Sequence, residues 1–587
     1  MKSYINKFFI GASAVLAFGL SSCVGDLDQV PDDPHVIAPD QFASNPREYL
    51  GGVMAKCYSG IAVSGQGGAG SSDISGLDNG TSCWSRAIFM LEEFTTDEVN
   101  WIWPDAGVFD LCTGTWSASN ANIFGTYSRL YTHIAICNNF LRLANNPGEY
   151  DIVIDESLQP EIDQFKLEAR ALRDLSYYYV IDLFGNAVRA WDDMPYGEVP
   201  QQTTRQALFE EVTADLEEVV AEWPTSLNKQ NVVYGRIGRD AVMALLCKFY
   251  LNAEVYVGKP MYDKVLYYAN QIIANHQGGG FQNSGLANDY LAIFCGNNDM
   301  FMPGGSLSAA QNEILWGIPY STDLTESYGG SMFLIASAIT DEGKEADPSK
   351  GFMNHTWYGI NAQWGCMHAR QQFSNLFDFN GPTSNDGRVE IWGTSAYGFN
   401  IENTEFSNFL DGYAAIKFTN CMADASGNLP RWEADNGLIR VGEQPVRSNA
   451  NFPDTDLPII RLAEVYLIAA EAEYKAGNPA TAVTYINLLR ERATNRMYNP
   501  ATLPACTTGE LSDDYILAER ARELYWENVR RTDLIRFGKF AGQSSYSWTW
   551  LNNMPTNGSM PAYMNLFPIP QDVIATYGST YKQNPGY

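Results

Sequence analysis

Tryptophan is the residue type that points most directly to a chemical role, because indoles cluster here beside polar side chains. The stretch NWIWPDAG contains Trp101 and Trp103, and alternation along an extended backbone places both rings on one face. A second stretch, FMNHTWYGINAQWG, contains Trp357, Tyr358 and Trp364. Flat indoles stack on the C–H faces of sugar rings, while Asn, Asp and Gln side chains bind the hydroxyls. The group is therefore predicted to form a carbohydrate-binding surface, although each ring taken alone is better explained as a core residue.

Motifs for catalysis or metal binding are missing from the sequence. It contains no HExxH, no GxSxG, no GxxxxGK[ST] and no CxxC pair. The five histidines are scattered, so no zinc site is predicted, and His355 and His368 are interpreted as polar groups of a loop-rich surface. The 68 acidic residues mark no pair of the kind that a glycosidase places across a cleft. The sequence therefore favours a binding protein over an enzyme.

The N-terminus is typical of an exported lipoprotein. Lys2 and Lys7 precede an apolar run from Phe8 to Leu20, which is too short to span a bilayer and fits a signal peptide. The run ends in Leu-Ser-Ser-Cys, which resembles a bacterial lipobox. Residues 1–22 are therefore predicted to be removed and Cys23 to be acylated, which leaves a lipid-anchored protein.

Composition limits the partners of the mature chain. The full sequence has 587 residues and a net charge of −30, and such an acidic surface repels nucleic acid and anionic lipid head groups. After Leu20, no stretch is long and apolar enough to cross a membrane. Nine cysteines remain besides Cys23, without regular spacing, and are interpreted mainly as small buried side chains.

Helical periodicity dominates several long segments. FKLEARALRDLSYYYVIDLFG places Leu167, Ala171, Leu175 and Tyr178 on one stripe, and Gly185 ends the helix. The segment from Gly238 to Ala274 is interpreted as two helices joined at Gly258-Lys259-Pro260.

A similar helical hairpin follows near the C-terminus, turning at Gly477-Asn478-Pro479. Ala469, Ala470 and Ala482 allow its helices to approach closely, and Tyr466 fills the remaining space, as in a tetratricopeptide unit. Residues 280–450 show weak periodicity and are rich in Gly, Asn and aromatics, so they are predicted to form a large loop-rich insert.

Five motifs in order along the chain resemble the SusD/RagB family of surface lipoproteins. These are CVGDLD after the signal peptide, EARALRDLSYYYVIDLFG, LPIIRLAEVYLIAAEA, ILAERARELYWENVRRTDLIRFGKF and the terminal LFPIPQDVIATYGSTYKQNPGY. The acidic start also resembles the export tag that directs lipoproteins of Bacteroides-type bacteria to the cell surface. Together the motifs span nearly the whole chain.

The resemblance implies an all-α fold of tetratricopeptide-like hairpins with an irregular, loop-rich insert. It implies a helical N-terminal region over residues 23–280 and a RagB/SusD C-terminal region over residues 281–587. It also implies a lid on a SusC-like TonB-dependent outer-membrane transporter, which receives an oligosaccharide or peptide captured at the cell surface, without catalysis or a cofactor. Some relatives bind calcium, and FDFNGPTSNDGR, with Asp378 and Asp386, is a weak candidate for such a site because it lacks a proper calcium-loop pattern.

Charged residues on the motif helices are interpreted as structural. Glu523, Glu527, Arg530 and Arg531 lie within helical pairing distance, as do Arg461 and Glu464. Salt bridges between hairpins are predicted for these residues in preference to ligand contact. Two alternatives to glycan capture stay open. One is a peptide-import or structural lid, which would bury Trp101 and Trp103. The less favoured one is a surface glycoside hydrolase.

Overall fold

The structure is a computed structural model, and its description covers most of the chain. It describes residues 45–195, 197–224, 233–338, 359–377, 386–388, 390–391, 409, 411–412, 415–427, 431–433, 439–441, 451–494, 503–542, 560–578 and 580–587. The signal peptide and Cys23 lie outside these ranges, so the lipidation prediction is not addressed by the structure.

Most of the described chain is helical, as the sequence predicts. The helices are α1 (Pro46–Ala62), α2 (Trp84–Glu92), α3 (Val108–Thr113), α4 (Ala121–Asn145), α5 (Gln159–Phe184), α6 (Arg205–Glu222), α7 (Arg239–Leu251), α8 (Ala253–Val257), α9 (Tyr262–His276), α10 (Ser331–Ala338), α11 (Gln371–Asn375), α12 (Leu462–Lys475), α13 (Pro479–Arg492), α14 (Asp513–Leu524), α15 (Arg530–Arg536) and α16 (Gln571–Tyr577). Among these helices, none combines the length and the apolar character that a membrane span requires.

Helix ends follow the local sequence signals. Helix α5 ends at Gly185, whose φ of 67° is in the left-handed region that glycine adopts readily. The α12–α13 hairpin turns at Gly477, with a φ of 87°, and Pro479 begins the second helix. Ala470 and Ala482 are fully buried between the two helices, which confirms the predicted close approach.

One predicted helix is divided into two. The motif from Ile516 to Phe540 resembles a single helix of the SusD/RagB family, but α14 ends at Leu524 and α15 begins at Arg530. Between them Trp526 and Asn528 both have a φ of 60°, which interrupts a right-handed helix. The backbone N–H of Trp526 instead donates to the Glu98 carboxylate, at 3.2 Å. The break therefore serves a tertiary contact that helical periodicity does not reveal.

Short strands pair two at a time within the described residues. The antiparallel pairs are β1 (Val99–Trp101) with β5 (Met367–Ala369), β2 (Ala187–Arg189) with β3 (Gln201–Thr203), β4 (Ile314–Ile318) with β10 (Leu457–Arg461), β6 (Glu390–Ile391) with β7 (Ala415–Ile416), and β8 (Arg431–Glu433) with β9 (Ile439–Val441). Strand β10 leads directly into α12, so the first five residues of the motif LPIIRLAEVYLIAAEA are a strand.

A continuous apolar core joins the two halves of the chain. It includes residues of α1 to α5 as well as residues of β4, β10 and α12. The division at residue 280 stays a sequence prediction. All nine described cysteines are buried, as predicted, and each is a free thiol. His368, expected on the surface, is buried in β5, and its Nδ1 lies within hydrogen-bond distance of the Asp411 carbonyl oxygen.

The motif-helix charges are structural, but their partners differ from the predicted ones. Arg461 donates to Glu523 and Glu527, and Glu464 accepts from Lys248 at 2.6 Å. Arg530 instead binds the Asp97 carboxylate through two hydrogen bonds of 2.8 Å. The break between α14 and α15 removes the helical spacing between Glu527 and the two arginines, and Arg461 belongs to strand β10, outside helix α12. Tertiary ion pairs replace them.

Asp456, which precedes β10, gives the fold a specific pH dependence. One of its oxygens accepts from the Tyr320 backbone N–H at 2.9 Å, and the other accepts from the Tyr234 hydroxyl. Burial raises the pKa of Asp456 to about 7, and Asp299 and Asp454 add to the rise. Because this pKa lies above that of the unfolded chain, the native state holds the extra proton. The stabilisation is complete at low pH and is lost as the pH rises through about 7.

The variant Asp456→Asn tests this assignment. Its amide cannot ionise but can still accept from Tyr320, so the free energy of unfolding of the variant is expected to rise relative to wild type between pH 5 and pH 8. The relative gain should be on the order of 3 kcal/mol, measured by urea denaturation. The exposed Asp514→Asn is the control and should follow the wild-type pH curve. Parallel curves for Asp456→Asn and wild type would contradict the assignment.

Candidate functional site

The β1–β5 ladder brings together two tryptophans that lie far apart in the sequence. Trp101 pairs with Met367 across the ladder, and the Ile102 N–H continues the pairing by donating to the Cys366 carbonyl at 2.8 Å. Trp103 follows Ile102 on one segment, and Trp364 lies two residues before Cys366 on the other, so the antiparallel pairing brings the two indoles close together. Their ring centroids lie 6.2 Å apart, with the ring planes tilted by 40°.

Tyr328 extends this pair into a row of three aromatic rings. Its ring centroid lies 6.3 Å from that of Trp364, and the two planes are tilted by 36°. Trp103, Trp364 and Tyr328 are each partly exposed, so we call this row the aromatic platform. Buried Phe452 packs behind Tyr328, with ring centroids 5.0 Å apart. Three adjacent rings held from behind form a ready surface for stacking against sugar rings.

Trp101 supports the platform from below. Only 5% of its surface is exposed, and its ring contacts Phe94, Phe333 and Trp103. The edge of Trp101 meets Trp103 at a ring separation of 5.7 Å and an angle of 74°, so the two indoles do lie together as predicted. The burial of Trp101 favours a supporting role over the direct ligand contact that the sequence predicts.

Two charged residues at the platform were not identified from the sequence. Arg86, 7% exposed, lies over the rings of Phe333 and Trp101, at 4.6 and 5.4 Å from their centroids. Burial lowers the pKa of Arg86, while nearby Asp78 and Asp105 oppose that effect. Asp105 accepts a 2.8 Å hydrogen bond from the Trp101 indole N–H. The base of the platform therefore carries one guanidinium and one carboxylate, in addition to its rings.

The Nε atom of Arg86 has no hydrogen-bond partner within the described residues. A buried polar atom without a partner is unusual in a protein, and a ligand or water in the site can supply the missing bond. Only one sequence signal indicates these charged residues, and that is the position of Asp105 four residues after Trp101. No sequence signal indicates Tyr328, because its place in the platform depends entirely on packing against Trp364.

Two of the predicted binding residues are not placed. Trp357 and Tyr358 lie outside the described residues, so their part in the site stays a prediction. Trp103 and Trp364 are brought together, as described above, and their contact with a ligand likewise stays a prediction.

Asp386, the one carboxylate of the candidate calcium segment that the structure describes, is already engaged by an arginine. Both carboxylate oxygens of Asp386 accept hydrogen bonds from Arg388, at 2.9 and 2.6 Å, and Asp378 lies outside the described residues. A carboxylate engaged by a guanidinium in this way is not available as a calcium ligand. Elsewhere in the described part of the chain, no group of three or more His, Cys, Asp or Glu side chains is arranged to hold a metal ion.

Comparison with known proteins identifies the family. The sequence profile of the SusD family matches residues 425–587. The starch-binding protein SusD of Bacteroides thetaiotaomicron is 30% identical over 628 aligned residues, which cover 100% of this chain and 99% of that protein. The chain belongs to the SusD family. A SusD-like protein of Formosa agariphila, P25, is 22% identical and covers 72% of this chain and 71% of its own length.

Solved structures of the SusD superfamily show the same fold. One from Parabacteroides distasonis superposes with a TM-score of 0.62 at 18% identity, covering 92% of this chain and 99% of that one. Surface glycan-binding protein A of Bacteroides thetaiotaomicron, solved with laminarihexaose, has a TM-score of 0.60 at 18% identity over the same shares. The all-α architecture with helical hairpins is therefore confirmed. The relative at 30% identity is named for starch binding, and membership of the same family identifies this chain as non-catalytic.

Proposed function

We propose that this SusD-family protein is a cell-surface lipoprotein that captures an oligosaccharide or polysaccharide and passes it to a SusC-like TonB-dependent outer-membrane transporter. The observation that carries the proposal is the aromatic platform, in which three partly exposed rings adjoin one another. Rings at such spacing can stack against successive sugar units of one chain, while Arg86 and Asp105 provide polar groups beside them.

Weak binding is compatible with this function. Stacking of one sugar ring contributes on the order of 1 kcal/mol, so the three rings of the aromatic platform together with a few hydrogen bonds give micromolar to millimolar affinity. A lipid anchor on Cys23 would keep the protein beside its transporter, and transfer would become effectively intramolecular. A tight site would hinder release into the transporter.

Starch-type α-glucan is the first ligand to examine, because the relative at 30% identity is named as starch-binding. Laminarin, a β-glucan, is the second, because surface glycan-binding protein A was solved with laminarihexaose. The chain from residue 24 onward should be run by affinity electrophoresis in gels containing amylopectin, laminarin, or other plant and microbial polysaccharides.

Retardation by at least one polysaccharide, with the polysaccharide recovered intact, is the expected result. Retardation with shortening of the polysaccharide would instead indicate a hydrolase. Absence of retardation by the whole panel, with an intact fold by circular dichroism, would favour the peptide-import or structural lid. The burial of Trp101 is the one observation that favours that alternative.

A further inference from the structure

A second concave site lies beside helix α1, separate from the aromatic platform. It is a cavity of about 900 Å³, within the range of sites that hold small ligands. Its wall is formed by one face of α1, by the loop from Gly65 to Ala69, by the end of β4 and by the segment Asp323–Glu326. We call it the α1 groove. Trp103, Trp364 and Tyr328 of the platform do not line it.

The floor of the groove carries opposite charges that neutralise each other. Arg236 binds Glu168 through two hydrogen bonds, one of them 2.8 Å long from Nε, and Tyr58 donates to the same carboxylate at 2.6 Å. Burial and the Glu168 charge raise the pKa of Tyr58 well above its ordinary value, so its hydroxyl stays protonated. The floor therefore presents polar groups without a net charge.

One donor of this network is left over. Nε and Nη2 of Arg236 donate to Glu168, whereas Nη1 has no hydrogen-bond partner among the described residues, and 27% of the side chain is exposed. Beneath the guanidinium lies Phe165, at 4.8 Å from its ring centroid. Arg236 can therefore donate to a group in the groove while the aromatic ring and Glu168 hold it in place.

The rim combines aromatic, amide and carboxylate groups. Tyr234 stands partly exposed on one wall, Gln66 lies on the loop after α1, and Asp323 and Glu326 lie on the opposite segment. Leu324, at the tip of the turn closed by the Ser321–Thr325 bridge, is 89% exposed. The two rim carboxylates disfavour anionic ligands, and the neutral floor offers no counter-charge to attract one. A neutral polyhydroxyl ligand fits this combination of ring surfaces, donors and acceptors.

Two chain segments connect the groove to the platform. The segment that supplies Asp323 and Glu326 to the groove continues directly to Tyr328 of the platform. The loop after α1 lines the groove near Gln66, and farther along it Gly80 lies beside Arg86 and the Tyr328 carbonyl. The Tyr320 hydroxyl ties the two segments together by donating to the Ala62 carbonyl at 2.9 Å.

From this arrangement we infer that the α1 groove is a second saccharide subsite, which holds a further part of the same neutral glycan chain that stacks on the platform. The inference rests on the proposed function, because the groove adds affinity only for a chain long enough to reach it. The protein is then expected to bind long neutral glycans more tightly than short ones.

The test variant fills the groove and leaves the side chains that form its floor unchanged. Ala55 is exposed on the α1 face that lines the groove, so Ala55→Arg places a long side chain into it. Gly52→Arg adds the same side chain to α1 at an exposed position outside the groove, where a new Cβ meets no atom within 4 Å. Binding of maltotriose, maltoheptaose, laminaritriose and laminarihexaose to wild type, both arginine variants and Trp103→Ala is measured by calorimetry.

Ala55→Arg is expected to weaken binding of the longer chain about tenfold and to change binding of the trisaccharide by less than about twofold. Trp103→Ala should weaken binding of both the longer chain and the trisaccharide. Gly52→Arg should leave the binding of both unchanged. If Ala55→Arg behaves like Gly52→Arg while Trp103→Ala still loses affinity, the groove inference is wrong and the proposed function stands. If none of the four glucans nor any polysaccharide of the panel binds wild type, both fail together. Equal loss of short and long ligands in Ala55→Arg would also overturn the inference, because it would make the groove the primary site.

Discussion

Replacing Trp103 and Trp364 together with alanine is expected to abolish retardation by the polysaccharide that retards wild type. Each ring contributes on the order of 1 kcal/mol of stacking, and each 1.4 kcal/mol changes affinity tenfold, so the pair lowers affinity by about tenfold to a hundredfold. Because the wild-type affinity is already weak, this loss takes the affinity below what retardation in the gel can detect. Because both rings are partly exposed, their removal should leave the fold intact.

The control for this pair is Tyr267→Ala. Tyr267 is 65% exposed on helix α9 and has a ring neighbour of its own, Tyr268, but it lines neither the platform nor the groove. The control should bind polysaccharide like wild type. Unchanged binding of the Trp103/Trp364 variant, with a melting temperature close to wild type, would show that the platform is not the glycan site.

Trp101 is a poorer choice for this experiment, although the sequence marks it as strongly as Trp103. Its ring fills a space between Phe94 and Phe333, and truncating a buried aromatic residue to alanine costs about 3–5 kcal/mol. A variant that includes Trp101→Ala would lose binding and stability together, so the result would not separate a ligand contact from a structural role.

The helical fold could be predicted because its signals are local. Gly185 and Gly477 end helices in the left-handed conformation, and the alanines of the α12–α13 hairpin mark its close packing. These features depend on residues within one or two turns of each other, and periodicity together with turn residues reveals them. The motif resemblance added the family and the order of the hairpins.

The break between α14 and α15 was missed because its cause is distant in the sequence. Trp526 leaves the helix so that its N–H can reach Glu98, and Arg461 approaches Glu527 from β10. Neither Glu98 nor Arg461 lies near residue 526 in the sequence, so helical periodicity continued across the gap. For the same reason helical spacing did not indicate the partners of Glu527 and Arg461, although the predicted salt bridges between helical segments are present.

The binding site could be predicted only in part, and the reason is again pairing between distant segments. Indoles beside amides indicated the residues of the candidate site, but exposure depends on the β1–β5 ladder, which buries Trp101 and leaves Trp103 partly open beside Trp364. Tyr328 and Arg86 join the platform through packing alone. Nothing in their own neighbourhood in the sequence distinguishes them from many other tyrosines and arginines.

Arg461→Met is expected to have the largest effect on stability. Arg461 lies at the centre of a buried network, where it donates to Glu527 at 2.6 and 2.8 Å and to Glu313 at 2.8 Å. It also reaches the carboxylate and the backbone carbonyl of Glu523. Burial alone would lower the pKa of Arg461, but Glu527, Glu523 and Glu313 hold it well above its ordinary value.

Removing this guanidinium leaves three buried carboxylates with fewer partners. Arg492 still binds Glu313 and Glu523, and Lys417 still binds Glu527 at 2.6 Å, so the carboxylates are not left entirely without a cation. Breaking a buried ion pair on one side nevertheless costs about 3–5 kcal/mol, a large share of the stability of a typical domain. Guanidinium chloride denaturation should therefore show a much lower midpoint for Arg461→Met, or the variant should fail to accumulate as folded protein.

Arg47→Met provides the matched control, because Arg47 forms a surface ion pair with Glu161 at 3.1 Å and its side chain is 65% exposed. That pair should contribute less than about 1 kcal/mol, since water and salt screen it. Arg461→Lys keeps the charge but cannot form the forked hydrogen bonds to Glu527, so its denaturation midpoint should lie between those of Arg461→Met and Arg47→Met. A midpoint for Arg461→Met equal to that of Arg47→Met would mean that the remaining cations compensate fully. Arg461 would then be dispensable for holding β10 to the segment between α14 and α15.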